Sequence, residues 1–145
     1  MDAPITEAEV TTAIKGMKTG GSPGVDGFPA EYYKKYVDIL CPFLTEVFHE
    51  AFQYGSLPES LNQDIISLMP KKDKDSTDPV NYRPISLINV DCKILSKTLA
   101  LRLDQVLPKI IHKDKVGFTK HRSSSDNMRR LLHFIWMNRT NPHPV

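Results

Sequence analysis

The side chains best suited to chemistry in this sequence are cations around residues 64–89. Lys71 and Lys72 lie in a polar stretch between two apolar runs, and Arg83 begins the second run within NYRPISL. Lysine supplies a flexible point charge and arginine a planar fork for two oxygens, which suits triphosphates and nucleic-acid backbones. Pro84 biases Arg83 toward an extended backbone, which lowers the entropy cost of aiming its guanidinium. The same residues also fit a solvated turn with an arginine at the start of a strand.

Other familiar site patterns are missing from the sequence. The stretch TGGSPGVDGF has neither the Gly-Lys-Ser/Thr of a phosphate loop nor the glycine spacing of a dinucleotide fingerprint. Asp73, Asp75 and Asp78 lack the glycine and the glutamate of a calcium loop. The five histidines and two cysteines show no zinc-ligand spacing. We therefore expect no catalytic residue and no metal site in this chain.

Hydrophobic periodicity predicts a mostly helical α+β chain. DIISLMP (64–70) and RPISLIN (83–89) predict two antiparallel strands, joined as a β-hairpin by a charged tip. Helices are predicted from the Thr6–Glu9 capping box to Gly20, from Pro29, from Pro42 to Gly55, from Asp91 to Leu107 before Pro108, and after Ser123. In the last helix we expect Met128, Leu131, Leu132 and Ile135 to face inward. KVGF (115–118) is expected to be extended, and the tail NPHPV to be frayed.

Composition and charge fit one intracellular domain. The 145 residues are 40% hydrophobic and 25% charged, without an apolar run long enough to span a membrane or a secretory signal. Cys41 and Cys92 are therefore expected to be reduced. Net charge is +2, but residues 1–50 carry −4 and residues 109–139 carry +6. This asymmetry fits a C-terminal half that faces a polyanion, and it equally fits a solvated surface without a partner.

Three blocks occur in order along the chain: SPGVDGFPAEYYK (22–34), LMPKKDKDSTDPVNYRPISLINVDCKILSKTLALRL (68–103) and KVGFTKHRSSSDNMRRLL (115–132). Together they resemble the N-terminal part of the reverse transcriptase of non-LTR retrotransposons, the long interspersed elements. The likeness covers nearly the whole chain, and its middle block is highly specific. It implies a partial reverse transcriptase domain over 1–145, comprising the mostly helical fingers subdomain and the first edge of the palm. Within it, the resemblance implies a template-side loop at 19–28 and a projecting antiparallel β-hairpin at 64–89.

The resemblance also assigns site residues of two kinds. Arg83, Lys71 and Lys72 correspond to positions that bind the phosphates of the incoming deoxynucleoside triphosphate (dNTP). The positions that correspond to template or nucleic-acid contacts are Gly24, Asp26, Gly27, Gly117, Phe118, Arg122, Arg129 and Arg130. The sequence departs from the family pattern in three places. Val25 replaces a common proline, Lys115 a glutamine, and His121 a turn glycine.

Polymerases of this family hold two metal ions on palm aspartates, in Asp-Ala-Phe-Asp and Ala-Asp-Asp motifs. Neither motif occurs in this sequence. We therefore expect the chain alone to bind RNA or single-stranded DNA and dNTP without synthesis, with Mg²⁺ needed only by a complete polymerase. Alternatives are a non-enzymatic RNA-binding or protein-interaction module, which pairs with itself or with a palm-containing polypeptide, and a relic without selected function. The expected location is the cytoplasm or nucleus, away from membranes.

Overall fold

The computed structural model describes residues 3–112, 114–117 and 122–140. The elements in chain order are α1 (Glu7–Lys15), α2 (Ala30–Lys35), α3 (Val37–Tyr54), β1 (Asp64–Pro70), β2 (Tyr82–Ile88), α4 (Val90–Ile110) and α5 (Ser124–Thr140). A short 3-10 turn precedes each strand, at Glu59–Leu61 and Pro79–Asn81. The predicted α+β class, mostly helical with an antiparallel hairpin, is confirmed.

The chain forms two compact units, Met1–Ala100 and Leu101–Val145, and the division falls inside α4. In the first unit, α1 packs against α3. Fully buried side chains from three helices build its core: Val10 and Ile14 of α1, Phe48 of α3, and Ile94 of α4. The predicted capping box starts α1, where the Thr6 amide and hydroxyl each donate to a Glu9 carboxylate oxygen at 2.9 Å. This helix ends at Lys15, earlier than predicted.

The two strands form the predicted hairpin, with Asp64 opposite Ile88 and Pro70 opposite Tyr82. Side chains alternate between the two faces of a strand. Apolar side chains are exposed on both faces, for example Leu68 on one and Met69 on the other. Because a two-stranded hairpin alone is marginally stable, contacts at its base and tip are needed to hold its shape.

Two prolines lie inside helices where the sequence predicts helix ends. The helix predicted from Pro42 begins at Val37, and the helix predicted to end before Pro108 continues to Ile110. A proline removes one backbone hydrogen bond, but burial of Val37 and other residues of α3 favours the longer helix. At its other end, α4 begins at Val90, so the predicted cap, Asp91, lies in its first turn.

The helix predicted after Ser123 is confirmed, but its apolar face is not buried. The Ser123 amide donates to Asp126 Oδ2 at 3.0 Å at the start of α5. The side chains predicted to face inward, Met128, Leu131, Leu132 and Ile135, are between 48% and 59% exposed. Helical spacing identifies an apolar face correctly, but it does not identify what covers that face.

The third block lies partly outside the described residues. Lys115 and Val116 have no regular structure and Gly117 lies in a turn, so the predicted extended piece is wrong for 115–117. Phe118 and the tail at 141–145 lie outside the description. No described helix combines the length and apolar character that crossing a membrane requires.

Candidate nucleic-acid interface

The hairpin brings two of the predicted phosphate-binding cations onto one face. Arg83 pairs with Met69, and the Lys71 amide donates to the Asn81 carbonyl at 2.7 Å, which extends the antiparallel pairing by one residue. Because side chains alternate along strands, Lys71 lies on the face that carries Arg83. The pairing therefore sets these two cations on one face near the tip, diagonally across the two strands.

The cations differ in how they are engaged. The Arg83 and Lys72 side chains are exposed, and neither has a hydrogen bond or ion pair with a described residue. Lys71 Nζ donates to the Val80 carbonyl at 2.8 Å, which fixes the direction of its side chain. An ammonium has three donors, so Lys71 retains donors for an anion. The face thus offers an uncommitted guanidinium beside a positioned ammonium.

The hairpin tip is organised by its own side chains. Asp75 Oδ1 accepts from the Thr77 amide and hydroxyl at 2.9 and 2.8 Å, and these bonds lower the pKa of Asp75. Asp78 Oδ1 accepts from the Val80 amide at 3.0 Å, and the Tyr82 hydroxyl donates to a tip carbonyl at 2.9 Å. These acids act as turn acceptors, so their charges are partly used within the tip while the cations stay available.

The predicted template-side loop is held against the base of the hairpin by Asn89, which sequence reasoning missed. Asn89 follows β2 and is 4% exposed. Its Oδ1 accepts from the Asp26 amide at 3.3 Å, and its Nδ2 donates to the Ser60 carbonyl at 2.9 Å. A polar residue directly after an apolar strand was the only signal in the sequence. Its partners are distant in the chain, so the fold alone reveals its role.

Close packing and backbone conformation explain the glycines of this loop. A Cβ at Gly24 would lie 2.5 Å from the backbone nitrogen of Asn89, so only glycine fits there. Gly27 has a left-handed φ of +74°, and its amide donates to the Gly24 carbonyl at 3.2 Å. Asp26 Oδ1 then accepts from the Phe28 amide at 3.0 Å. The three residues predicted at the template therefore form one tight turn.

Two partly buried ionisable groups, Asp91 and Tyr33, are affected by the charge of Asp26 in this turn. Burial raises the pKa of Asp91, the hydrogen bond from the Cys92 amide lowers it, and the charge of Asp26 raises it. Burial also raises the pKa of Tyr33 well above its ordinary range, and the charges of Asp91 and Asp26 act in the same direction. This part of the site therefore disfavours additional negative charge.

In the second unit, Arg122 is engaged by the chain itself. Its guanidinium donates to four backbone carbonyls around the C-terminal end of α4, at distances from 2.7 to 3.2 Å. These carbonyls belong to Pro108, Ile111, His112 and Lys115. Carbonyls at a helix end lack helical partners and carry partial negative charge, so an arginine there stabilises the helix end. The predicted template role of Arg122 would have to be shared with this structural one.

The neighbouring arginines divide in the same way. Arg130 forms a short ion pair with Asp114, whose carbonyl accepts from Asn127 Nδ2 at 2.7 Å. The exposed Arg129 has no hydrogen bond or ion pair with a described residue. Gly117, another residue predicted at the template, has room for a side chain, because a Cβ there would meet nothing within 4 Å. Arg129 is therefore the predicted template cation whose charge is uncommitted within this unit.

Comparison with known proteins identifies the class. A family model described as reverse transcriptase (RNA-dependent DNA polymerase) matches residues 69–143, just over half of the chain. This chain belongs to the reverse transcriptase family, and its relatives come from non-LTR retrotransposons.

Three relatives illustrate the likeness. The Transposon TX1 uncharacterized 149 kDa protein of Xenopus laevis is 39% identical over 92% of this chain and 10% of its own length. The putative 115 kDa protein in type-1 retrotransposable element R1DM of Drosophila melanogaster is 29% identical over 85% of this chain and 12% of its own. The RNA-directed DNA polymerase from mobile element jockey of Drosophila melanogaster is 26% identical over 90% of this chain and 14% of its own. The chain thus spans about a tenth to a seventh of these relatives.

Reverse transcriptases use Mg²⁺, but the described residues do not fit a metal site. Across 3–112, 114–117 and 122–140, no three histidine, cysteine, aspartate or glutamate side chains come together in a group that could hold a metal ion. Two-metal polymerase chemistry requires such carboxylate ligands. No reaction step through Mg²⁺ is therefore derived from this chain.

Proposed function

We propose that this chain is the fingers part of an RNA-directed DNA polymerase of a non-LTR retrotransposon. In this role it binds the template strand and the phosphates of the incoming dNTP, and it does not join nucleotides by itself. The observation that carries the proposal is the shared hairpin face of Arg83 and Lys71, with the Arg83 guanidinium uncommitted. A triphosphate supplies the oxygen acceptors that such a pair requires.

Synthesis would need carboxylates beyond those described here, because the described side chains include no metal cluster. A longer polypeptide or a second polypeptide containing the palm would have to supply them. Template and dNTP are intracellular, so the proposal puts the protein in the cytoplasm or nucleus. Primer extension with the 145-residue chain and Mg²⁺ should give no product, and templated product would contradict this part of the proposal.

A nucleotide titration tests the hairpin. Arg83→Ala should raise the dissociation constant for a fluorescent dNTP about tenfold or more, because a hydrogen bond to a charged group contributes about 1.5–3 kcal/mol. Arg139→Ala is the matched control, since it removes an arginine near the end of α5, outside the hairpin. Equal midpoints for Arg83→Ala and the unchanged chain would reject the phosphate-binding assignment.

A second candidate function is a protein-interaction module, favoured by the exposed apolar face of α5. Exposed apolar patches on soluble proteins mark surfaces for association. The members of this face that are between 48% and 60% exposed are Met128, Leu131, Leu132, Ile135 and Trp136, and Phe134 is exposed on another side of the helix. Sedimentation at rising protein concentration separates the candidates, because nucleic-acid binding alone does not require self-association.

A further inference from the structure

Three aromatic rings form a continuous ladder that begins at the last residue of the predicted template-side loop. The Phe28 and Tyr32 ring centroids lie 4.7 Å apart with planes tilted by 31°. The Tyr32 and Tyr36 centroids lie 5.1 Å apart with planes tilted by 58°. Tyr32 lies in α2, while Phe28 and Tyr36 lie just outside its two ends, and the ring contacts place all three in one row.

The middle of the ladder packs against the protein core. Tyr33 is 6% exposed and meets the Tyr32 ring edge-on at 5.7 Å, which ties the middle of the ladder to the core. At one end, the carboxylate of Asp26 accepts from the Phe28 amide. An aromatic surface fixed before binding loses little side-chain entropy when it takes a ligand.

The outer rings remain open although the ladder is anchored. Phe28 is 45% exposed and Tyr36 is 39% exposed. A core stripe would bury these rings, as the same segment of the chain buries Tyr33. The exposed parts of Phe28 and Tyr36 therefore suit a flat partner, which would take the place of Lys35 Nζ over the Tyr36 ring.

The charged residues beside the ladder indicate which kind of flat partner it would bind. Lys35 Nζ lies 5.6 Å from the centre of the Tyr36 ring, and Lys34 is one residue earlier. The acid within α2, Glu31, accepts from the Gly20 amide at 2.6 Å, so its charge is engaged by the loop. Rings that take bases, beside lysines that take phosphates, are the two components of a platform for single strands.

We propose that Phe28, Tyr32 and Tyr36 form a stacking platform for the unpaired bases of RNA or single-stranded DNA, with Lys34 and Lys35 at the backbone. This inference rests on the proposed template-binding function and extends it to a defined surface. A duplex hides the faces of its bases, so the platform selects single strands. Stacking also tolerates any base, which a template-reading surface requires.

Binding measurements with the full chain test the platform. Phe28→Leu and Tyr36→Leu keep apolar volume but remove a ring, and each should weaken binding of a fluorescent oligo(U) RNA about fivefold or more. Tyr36→Phe keeps the ring and should retain binding. Controls are Phe43→Leu and Tyr54→Leu, which remove rings that are 65% and 74% exposed and have no ring partner among the described residues. An oligo(dT) arm compares DNA with RNA, and a duplex arm should bind more weakly than either.

Salt titration and crosslinking separate stacking from charge. The ring variants should keep the salt slope of the unchanged chain, whereas Lys35→Gln should lower it by about 0.7 for a single strand. Ultraviolet crosslinking of 5-iodouridine RNA should label peptide 28–36. If the unchanged chain binds RNA and the ring variants bind equally well, the platform is rejected while template binding stands. If the unchanged chain binds no single strand, both proposals are rejected, and an apolar partner protein becomes the occupant to test.

Discussion

At the scale of single residues, Arg83 and Asn89 have different roles although both belong to the second half of the hairpin region. Pro84 favours an extended backbone at Arg83, and the structure confirms that Arg83 lies within β2. Asn89, six residues later, uses both ends of its amide to join the turn at Asp26 to Ser60. One residue is left free for a ligand, and the other is committed to holding the loop and hairpin base together.

The close approach at Gly24 makes a prediction about stability. Gly24→Ala should lower the free energy of unfolding by about 1–3 kcal/mol, because the new Cβ would force the loop away from Asn89. Urea unfolding measures the difference. Gly21→Ala is the matched control, since a Cβ there would meet nothing within 4 Å and its φ is not left-handed. Equal losses in the two variants would show that packing against Asn89 is not the cause.

Asp91 makes a prediction about pH. Its pKa is raised in the folded chain, chiefly by burial, so the folded state binds the proton more tightly than the unfolded state. The free energy of unfolding should therefore fall as pH rises from the ordinary aspartate pKa, about 3.8, through the raised value. Asp91→Asn stays neutral, so it should be more stable than the unchanged chain at pH 7, with the difference vanishing near pH 3.

Asp38→Asn is the control for this pH effect. Asp38 also lies in the first turn of a helix, but it is exposed. An exposed carboxylate there stabilises the helix by about 0.3–1 kcal/mol, so its loss should slightly destabilise the chain at pH 7. The two variants should therefore shift stability in opposite directions. A loss of stability in Asp91→Asn comparable to that in Asp38→Asn would contradict the role of burial.

At the scale of elements, the sequence predicts local structure correctly where the residues that interact lie close together in the chain. The Thr6–Glu9 box, the helix end at Gly55 and the two strands were all predicted correctly. Pro42 and Pro108 misled the prediction of helix ends, because the loss of one hydrogen bond was outweighed by the rest of the helix. Arg122 lies fourteen residues from Pro108, so no local pattern indicates that it caps α4.

The cap at the end of α4 predicts a local change in exchange. Arg122→Ala removes four donated hydrogen bonds, so the amides of the last turn of α4 should lose hydrogen-exchange protection about tenfold or more. Arg129→Ala is the control, because its guanidinium has no described partner. Hydrogen exchange read by mass spectrometry measures both. Unchanged protection in Arg122→Ala would reject the capping role.

RNA binding by the same two variants separates capping from template contact. Arg129→Ala should weaken binding and lower the salt slope by about 0.7, as expected for one lost phosphate contact to a single strand. If Arg122 also contacts the template, its variant should lower the slope equally. If Arg122 acts through the helix end, the slope should stay constant while exchange increases. These outcomes would separate cations that contact the ligand from cations that stabilise the chain.

At the scale of the whole molecule, charge is distributed unevenly along the chain. The first fifty residues are acidic while residues 109–139 are basic, so long-range attraction of a polyanion favours the C-terminal half. The predicted contact residues nevertheless occur in each unit, Arg83 in the first and Arg129 in the second. The charge distribution alone fits a polyanionic partner and a solvated surface equally well, and only the hairpin and loop geometry predicts particular contacts.

The exposed face of α5 makes the last prediction. Leu131 and Ile135 are 54% and 48% exposed and lie four residues apart on one helix face. Burying them between copies would remove apolar surface from water, so the chain should associate as its concentration rises. The double variant Leu131→Glu with Ile135→Glu should stay monomeric in sedimentation, with each exposed substitution changing stability by no more than about 0.5 kcal/mol. The control is Phe43→Glu, which places a single charge on the exposed face of α3. Association that persists in the α5 variant and disappears in Phe43→Glu would move the interface from α5 to α3.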